Sequence, residues 1–456
     1  MSAPLVSVCV PVAGHARYLA ECLESALTQD VDGIEVIVRE QGVGAAAPVI
    51  AELADKRLRY FRNPRERGVV ANRNACLALA RGRYVAWLDA DDRWLPGSLP
   101  DRLGVLETRE EVALVHGAAE ILDEDGRPLP AWQRPFDRDT VETPDEAFSE
   151  LVLANKITTS TVVARRSVIQ AAGPFVACGA TSSDWDMWLR LALRGAVAYR
   201  ARATACYRQH PASISATVTP ARRLVSDRRV IRRVLRAERE LIADRAVVAS
   251  RARIALAARS LLLAQDFHSR GHAMRALRQV AAAVKVAPQA LAGSVPGLAS
   301  SIVVGDAYGW HLRSRAALSA LAAALEGTRY GAWLDATSRL DPGWDAAQSR
   351  IADAVKHVTP PTAVVATAAK WDPTILRRSG RNGLQFPDRR LMPEGYPADG
   401  ARAAAHIDEL RREGVTHLVL PHAWGWWLER YGELQGRLGT PVHRDDDCSI
   451  FEVVDA

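Results

Sequence analysis

At 456 residues the chain is too long for one ordinary core and predicts two or three domains. A hydrophobic fraction of 48% with 25% charged residues excludes a disordered chain and fits a protein that buries real cores. The formal net charge of +6 comes mostly from arginine without interleaved aromatics, so no nucleic-acid partner is expected; acidic small molecules and an anionic membrane surface stay open.

The first two hundred residues alternate strand and helix signals, the pattern of an α/β layer fold on a mostly parallel sheet. Residues 6–10 read as a short buried strand. Residues 18–27 carry Leu19, Cys22, Leu23, Ala26 and Leu27 at helical spacing, and strands return at 34–38 and 58–61. Residues 71–80 read as a helix closed by Gly82, 84–88 as a central strand buried on both faces, and 112–116 as a further strand. After Pro220 the texture changes to long helical periodicity flanked by arginines. A helical pair at 257–267 and 273–286, stopped by Pro288, resembles a single hairpin of the tetratricopeptide type. A second α/β segment follows, with strands at 362–367, 417–420 and 449–453 and helices at 401–413 and 426–438. The expected division is an α/β domain over 1–220, a helical connector over 221–357 and a small α/β domain over 358–456.

The six cysteines stand at 9, 22, 76, 178, 206 and 448 with no CxxC or paired spacing, which argues against a zinc site or a disulfide framework and predicts a reducing compartment. The opening MSAPLVSVCVPVAG lacks a basic n-region and reads as strand rather than signal peptide. The weakly polar run at 291–304 is broken by Pro296 and Gly297 and falls short of a membrane span.

The densest chemical signal is RYVAWLDADDRWLP, residues 83–96, where an apolar strand runs into Asp89, Asp91 and Asp92. In an open α/β sheet ligands bind beyond the carboxyl ends of the strands, where loops are free to carry polar groups. Carboxylates crowded there repel unless a cation is present, and hard oxygen ligands suit Mg²⁺ or Mn²⁺. A lone DxD is weak evidence, as RYGAWLDATSRL at 329–340 shows: it repeats the frame but has Thr337 and Ser338 where the second and third aspartates would be.

Several segments in order supply the context: VSVCVP, SALTQ, IEVIV, GVVANRNACLALARGRYVAWLDADD, SDWDMWLRL and YRQHPASIS. Together they resemble family 2 of the inverting glycosyltransferases, over roughly the first 218 residues. The resemblance implies a GT-A fold, the nucleotide-diphospho-sugar transferase α/β architecture of a mixed sheet flanked by helices. It also implies transfer of a sugar from a nucleotide diphosphate to an acceptor hydroxyl, in bacterial surface polysaccharide or glycoconjugate assembly. On the donor side it implies Pro11, Val12, Glu40, Arg73, Asp89, Ala90, Asp91 and Asp92, the last holding either the sugar or the loop. Asp91 and Asp89, with His210, would hold Mn²⁺ or Mg²⁺ as a Lewis acid for the leaving diphosphate. Arg73 would approach the donor, where a fixed guanidinium suits phosphate. Asp184 matches the general base, which must face the acceptor hydroxyl opposite the leaving group. Ser183, in place of the family's glutamate, with Trp185 and Trp188, is a candidate on the acceptor side; both tryptophans have core packing as the alternative.

Two departures lie in the nucleotide-base pocket. Pro11, Val12, Ala13 and Gly14 replace a loop that normally carries an aromatic, and Glu40, Gln41, Gly42 and Val43 replace the usual Asp-Asp-Gly-Ser. Glu40 keeps a carboxylate for a uracil or thymine ring nitrogen on a longer arm, so a UDP- or dTDP-sugar is the expected donor, and the acceptor is expected to be a saccharide or a lipid-linked one. These losses keep a second reading open: a non-catalytic glycosyltransferase-like scaffold. The arginine-rich stretch 222–239 reads first as the solvated face of a bundle, with an anionic membrane as the alternative. The expected location is therefore cytoplasmic, with peripheral contact at the inner face of the plasma membrane as the alternative. The final segment resembles an accessory domain attached to bacterial glycosyltransferases; Trp424, Trp426 and Trp427 there read as core, and Asp445 to Asp447 as a solvated turn.

Overall fold

The computed structural model describes residues 3–454 except 15, 43, 130–133, 180, 270–271, 292–293, 295–297, 299–306, 339–341, 369–373, 387–396, 398, 423–426 and 429–430. The chain forms two compact units, Met1–Leu256 with Thr328–Tyr330, and Ala257–Gly327 with Gly331–Ala456.

The first unit is built on a ten-stranded mixed sheet. Its strands are β1 (Val6–Ala13), β2 (Ile34–Gln41), β3 (Leu58–Asn63), β4 (Tyr84–Trp87), β5 (Arg93–Trp94), β6 (Val112–Leu122), β7 (Pro128–Leu129), β8 (Thr140–Glu142), β9 (Val163–Arg165) and β10 (Ala196–Arg208). The order is β3-β2-β1-β4-β9-β6-β10-β5, with β7 on β6 and β8 on β10. The first four strands run parallel, and β9 enters antiparallel between β4 and β6. Because β2 and β4 flank β1 on opposite sides, the winding reverses there, and a crevice opens at the carboxyl ends of β1 and β4. The helices are α1 (Leu19–Leu27), α2 (Ala47–Leu53), α3 (Val69–Leu79), α4 (Ser98–Thr108), α5 (Pro144–Leu151), α6 (Arg166–Ala172), α7 (Ser183–Ala192), α8 (Ile214–Thr217) and α9 (Pro220–Ala237). Val6, Val8, Val10 and Val12 pack in one core with Leu19, Cys22, Leu23 and Ala26 of α1.

The strands outrun their apolar signatures. β2 continues through Glu40 and Gln41, which are buried although polar, because hydrogen bonds satisfy them. Helix α2 is short and buries no residue fully; Val49, Ile50 and Leu53 pack only half-buried against the core, a stripe too brief to stand out in sequence. At the opposite edge from the crevice, a Cβ on Gly82 would stand 2.6 Å from the Ser7 backbone nitrogen. The Ser7 hydroxyl accepts from the Gly82 and Arg81 amides and donates to Glu35 at 2.6 Å. Arg59 and Arg81 close on the same carboxylate at 2.6 and 2.8 Å.

Burial works against the Glu35 charge, but Ser7, Arg81 and Arg59 outweigh it and hold the carboxyl below its ordinary value. A depressed carboxyl contributes stability that is present above the unfolded pKa and lost as pH falls through the folded one. Glu35→Gln is therefore expected to lower the urea midpoint of the first unit by the equivalent of about 2–3 kcal/mol at neutral pH. The gap between variant and wild type should narrow below about pH 4.3; an equal gap at pH 7 and pH 3.5 (~half a unit or more below that value) would contradict it.

The second unit carries β11 (Val364–Thr367), β12 (Asn382–Gln385), β13 (His417–Pro421), β14 (Leu438–Arg444) and β15 (Cys448–Val453), ordered β12-β11-β13-β15-β14. Helix Gly400–Arg412 lays Ala403, Ile407 and Leu410 on one face of this sheet, and helix Pro342–Val358 lays Ile351 and Val355 on the other. The helix expected at 426–438 is not there as one element: Gly432–Arg437 is a 3-10 turn and Leu438 opens β14. Trp427, Tyr431, Leu434 and Leu438 all bury, at four-, three- and four-residue steps, which imitates helical periodicity. Trp427 is core, stacked near Phe386 and Tyr431; Trp424 and Trp426 lie outside the described residues. The repeated frame at 329–340 forms helix Arg329–Ser338, whereas its twin at 83–94 is strand and turn. Among the described residues no helix is long and apolar enough to cross a membrane.

Candidate active site

The carboxyl end of β4 delivers the three aspartates into different surroundings. The turn is closed by the Asp92 amide donating to the Asp89 carbonyl at 3.0 Å. Asp89 receives Arg73 Nη2 at 3.2 and 3.3 Å on its two oxygens. Arg73 projects from α3, is only 8% exposed and lies 5.8 Å from the Phe175 ring centre. Asp91 is half-buried, and its Oδ2 stands 3.0 Å from His210 Nε2, just beyond β10. The expected pairing of Asp91 with His210 is thus a contact across 119 residues of sequence.

Asp92 faces inward, 2% exposed, and holds the loop, one of the two roles expected of it. Its Oδ2 accepts from Ser160 Oγ at 2.5 Å and its Oδ1 from the Arg208 amide at 2.9 Å. Ser160 Oγ also accepts from the Asp89 amide at 3.1 Å. One hydroxyl therefore ties the acidic turn to the 3-10 turn Thr159–Thr161. Burial, then Asp91 and Asp89, push the Asp92 carboxyl well above the usual range.

Asp184 stands in the first turn of α7, where the helix macrodipole favours a negative charge. Its Oδ2 accepts from Thr159 Oγ1 at 3.3 Å and from Asn155 Nδ2 at 3.4 Å. Ser182, just before the helix, holds φ 72, a backbone region uncommon for serine, and its hydroxyl donates to Asp227 at 2.7 Å. Burial opposes the Arg73 charge, but Asp89 and Asp184 outweigh it and raise its pKa. Burial also raises the Asp89 carboxyl; Arg73 opposes this, while Asp91 and Asp184 add to it. Asp89, Asp184 and Arg73 consequently share one electrostatic environment.

Other expected site residues are placed differently. Trp185 and Trp188 are wholly buried; Trp185 donates to the Leu151 carbonyl at 2.8 Å, and Trp188 packs edge-on to Phe175, so neither presents a face to a sugar. Ser183 heads α7, 6% exposed. The Val12 side chain belongs to the core and its carbonyl accepts from Asn72, while Pro11 is a half-buried strand residue beside Arg39. Ala90 is half-buried against the same core. Glu40 is 1% exposed: one oxygen accepts from the Ala46 amide at 3.2 Å and the other from Tyr60 Oη at 2.5 Å. That locks its carboxylate inward rather than toward a nucleobase. Burial and Glu40 together push the Tyr60 hydroxyl up to about 12.

Sequence reasoning missed the residues that hold these in place. Arg208 donates from Nε to the Asp91 carbonyl at 3.0 Å, reaches Glu21 at 2.5 Å and lies 4.4 Å from the Tyr18 ring centre. Asn74 bonds both the amide and the carbonyl of Phe175 at 2.8 and 2.9 Å. In SALTQ, the Ser25 hydroxyl accepts from the Trp94 amide and Gln29 bonds Leu95 and Leu99, which fixes the chain leaving the acidic turn. The DWDMWLRL motif is also partly structural: Asp186 is fully buried, paired to Arg190 at 2.7 Å and to Arg233 at 2.5 Å.

The donor set fits an anionic ligand with a hard cation. Asp91 and His210 offer oxygen and nitrogen from one point. Arg73 Nε and Asn72 Oδ1, both buried, have no hydrogen-bond partner among the described residues, which leaves polar groups for a ligand to satisfy.

An uncharacterized protein of Mycobacterium tuberculosis is 29% identical over 247 residues, 50% of this chain and 74% of that protein. A glycosyltransferase of Rickettsia felis is 27% identical over 194 residues, 41% of this chain but 31% of its own length. The Escherichia coli UDP-Glc:alpha-D-GlcNAc-diphosphoundecaprenol beta-1,3-glucosyltransferase WfaP is 24% identical over 215 residues, 46% of this chain and 80% of that enzyme. The model of glycosyl transferase family 2 matches residues 7–167, which hold β1 to β4, Arg73 and the acidic turn, and over that segment the chain is similar to that family.

Proposed function

We propose that this chain is a metal-dependent, inverting glycosyltransferase that moves a sugar from a UDP- or dTDP-sugar to an acceptor hydroxyl in bacterial surface polysaccharide or glycoconjugate assembly. The acceptor class is a saccharide or a lipid-linked saccharide, a reading supported by the diphosphoundecaprenol-linked acceptor in the name of the WfaP relative. The work is done on the cytoplasmic side, with peripheral contact at the inner face of the plasma membrane.

The observation that carries this reading is the placement of Arg73 between Asp89, which it bonds, and Asp184, whose charge it feels. In that arrangement Asp184 takes the proton from the acceptor hydroxyl as it attacks the anomeric carbon from the face opposite the leaving diphosphate. Thr159 and Asn155 orient the carboxylate for that task. Arg73 meets the donor phosphates, its buried guanidinium held in place by Asp89. Asp91 and His210 would hold Mn²⁺ or Mg²⁺, while the Asp89 carboxylate is engaged by Arg73, and a bound cation supplies charge neutralisation for the departing diphosphate. Because Glu40 is already engaged by Tyr60 and Ala46, recognition of the base falls to neighbouring backbone groups.

A thermal-shift and donor-hydrolysis panel of UDP-, dTDP- and GDP-sugars, with and without Mn²⁺, tests this. A donor at 100 times its Kd is expected to stabilise the protein by about 2.7 kcal/mol, with the shift reduced when metal is withheld. A flat response to every donor in both conditions would replace this reading with the non-catalytic scaffold.

A further inference from the structure

Helix α9 turns a basic stripe to solvent. At about 100° per residue, Arg222, Val225, Arg229, Arg232 and Arg236 fall within an arc of about 80°. The opposite side buries Leu224, Val230, Ile231 and Val234 in the first unit. The helix contains seven arginines and one acid, Asp227, which is buried and occupied by Ser182. Arg233 is held by Asp186, and Arg223 donates to the Ser215 carbonyl. Arg222, Arg229, Arg232 and Arg236 make no ion pair with any described residue. A helix face that merely meets water usually alternates the two signs, since like charges one turn apart repel. Apolar side chains stand among these charges: Val225 is 48% exposed, and Ile214 on α8 is 49% exposed. Arg232, Arg233 and Arg236 also line a concavity of about 450 Å³, roomy enough for a phosphate headgroup.

The direction of the stripe ties it to the site. Contacts of Ser182 with Asp227, Asp186 with Arg233 and Arg194 with Glu238 show that α7 and α9 run side by side in the same direction. The first turn of α7 carries Asp184, and the Ser182–Asp227 contact sets that turn level with the middle of α9, whose amino end runs on beyond it. From Arg222 to Arg236 the stripe then extends about 21 Å at 1.5 Å per residue.

We propose that the exposed face of α9 docks flat on an anionic phospholipid surface, with lipid phosphates against Arg222, Arg229, Arg232 and Arg236 and Val225 seated among the headgroups. Guanidinium groups bind phosphate oxygens in pairs, and a basic face with apolar residues is the chemistry that lies in a membrane interface. Resting on the glycosyltransfer reading, docking through α9 brings its neighbour α7, which carries Asp184, close to that surface, which suits an acceptor carried on a membrane-anchored lipid phosphate.

The test is sedimentation of the full chain with phosphatidylcholine vesicles and with vesicles containing phosphatidylglycerol, at low and high salt. Wild type is expected to bind only the anionic vesicles and to release as salt screens the charges. The triple variant Arg229→Gln, Arg232→Gln, Arg236→Gln is expected to bind about 100-fold more weakly, at roughly fivefold per charge. Val225→Ser should weaken binding through loss of the apolar contact alone, with no change of charge, and both variants should keep the wild-type melting temperature because the changed side chains are exposed. The proposal is overturned if wild type ignores anionic vesicles, if the triple variant binds as wild type does, or if a single-stranded oligonucleotide binds more tightly than the vesicles. Donor hydrolysis without vesicles is read in parallel. Intact turnover with no vesicle binding defeats this proposal and the peripheral membrane contact but leaves glycosyl transfer standing, while vesicle binding with no turnover defeats only the assigned activity.

Discussion

Asp184→Asn is expected to lower kcat by about 10²–10⁴-fold, the usual worth of a positioned general base, with little change in melting temperature or in donor affinity. The amide is nearly isosteric, and Thr159 and Asn155 can still hold it, so the loss reads proton transfer and not folding. The charge felt by Arg73 falls only in part, since Asp89 bonds that arginine directly at 3.2 Å. Transfer to a true acceptor at the wild-type rate would remove Asp184 from the mechanism. Product that keeps the donor's anomeric configuration, read by proton NMR, would remove single displacement itself.

Two positions further along α7 the same residue type predicts a different phenotype. Asp186→Ala should cost about 3–5 kcal/mol of stability, because it leaves buried arginine without its carboxylate. Asp186 is fully buried and holds Arg190 and Arg233. Arg190 in turn donates to the carbonyls of Ala172 and Pro174 at 2.5 and 2.9 Å, so the pair fastens the segment leading to Phe175. Arg233→Gln should cost much less, since that side chain is 31% exposed and Arg190 remains. Urea midpoints of the two variants check the order; an Asp186→Ala protein as stable as Arg233→Gln would show that the buried pair contributes little.

The contrast between Asp184 and Asp186 marks where sequence stops being informative. A motif such as DWDMWLRL states that carboxylates are needed but not which of them faces a ligand. Exposure decides that, and exposure is set by α9 closing over Asp186 from more than forty residues away. The strand cores, the central helices and the acidic turn were legible because valine-rich runs and helical spacing reflect burial directly. Asp91 and His210 were legible as a pair only through the order of motifs. Glu40 was not, because nothing local says that Tyr60 on the adjacent strand will take its carboxylate. Ser160 and Arg208 were missed for a related reason: a serine and an arginine in unremarkable stretches become supports only through contacts 68 and 116 residues apart in the chain.

Those two contacts have a consequence for how the molecule is made. The acidic turn takes its shape from Asp92, and Asp92 is satisfied only after the chain has delivered Ser160 and the amide of Arg208. Closing loops of that length costs entropy before any contact rewards it, so such pairings form after the local strands and helices. On a ribosome, the sheet from β1 to β4 can be paired while the turn is still without its partners. Catalytic competence should therefore be the last property this unit acquires as it folds, and the first it loses when β10 comes away.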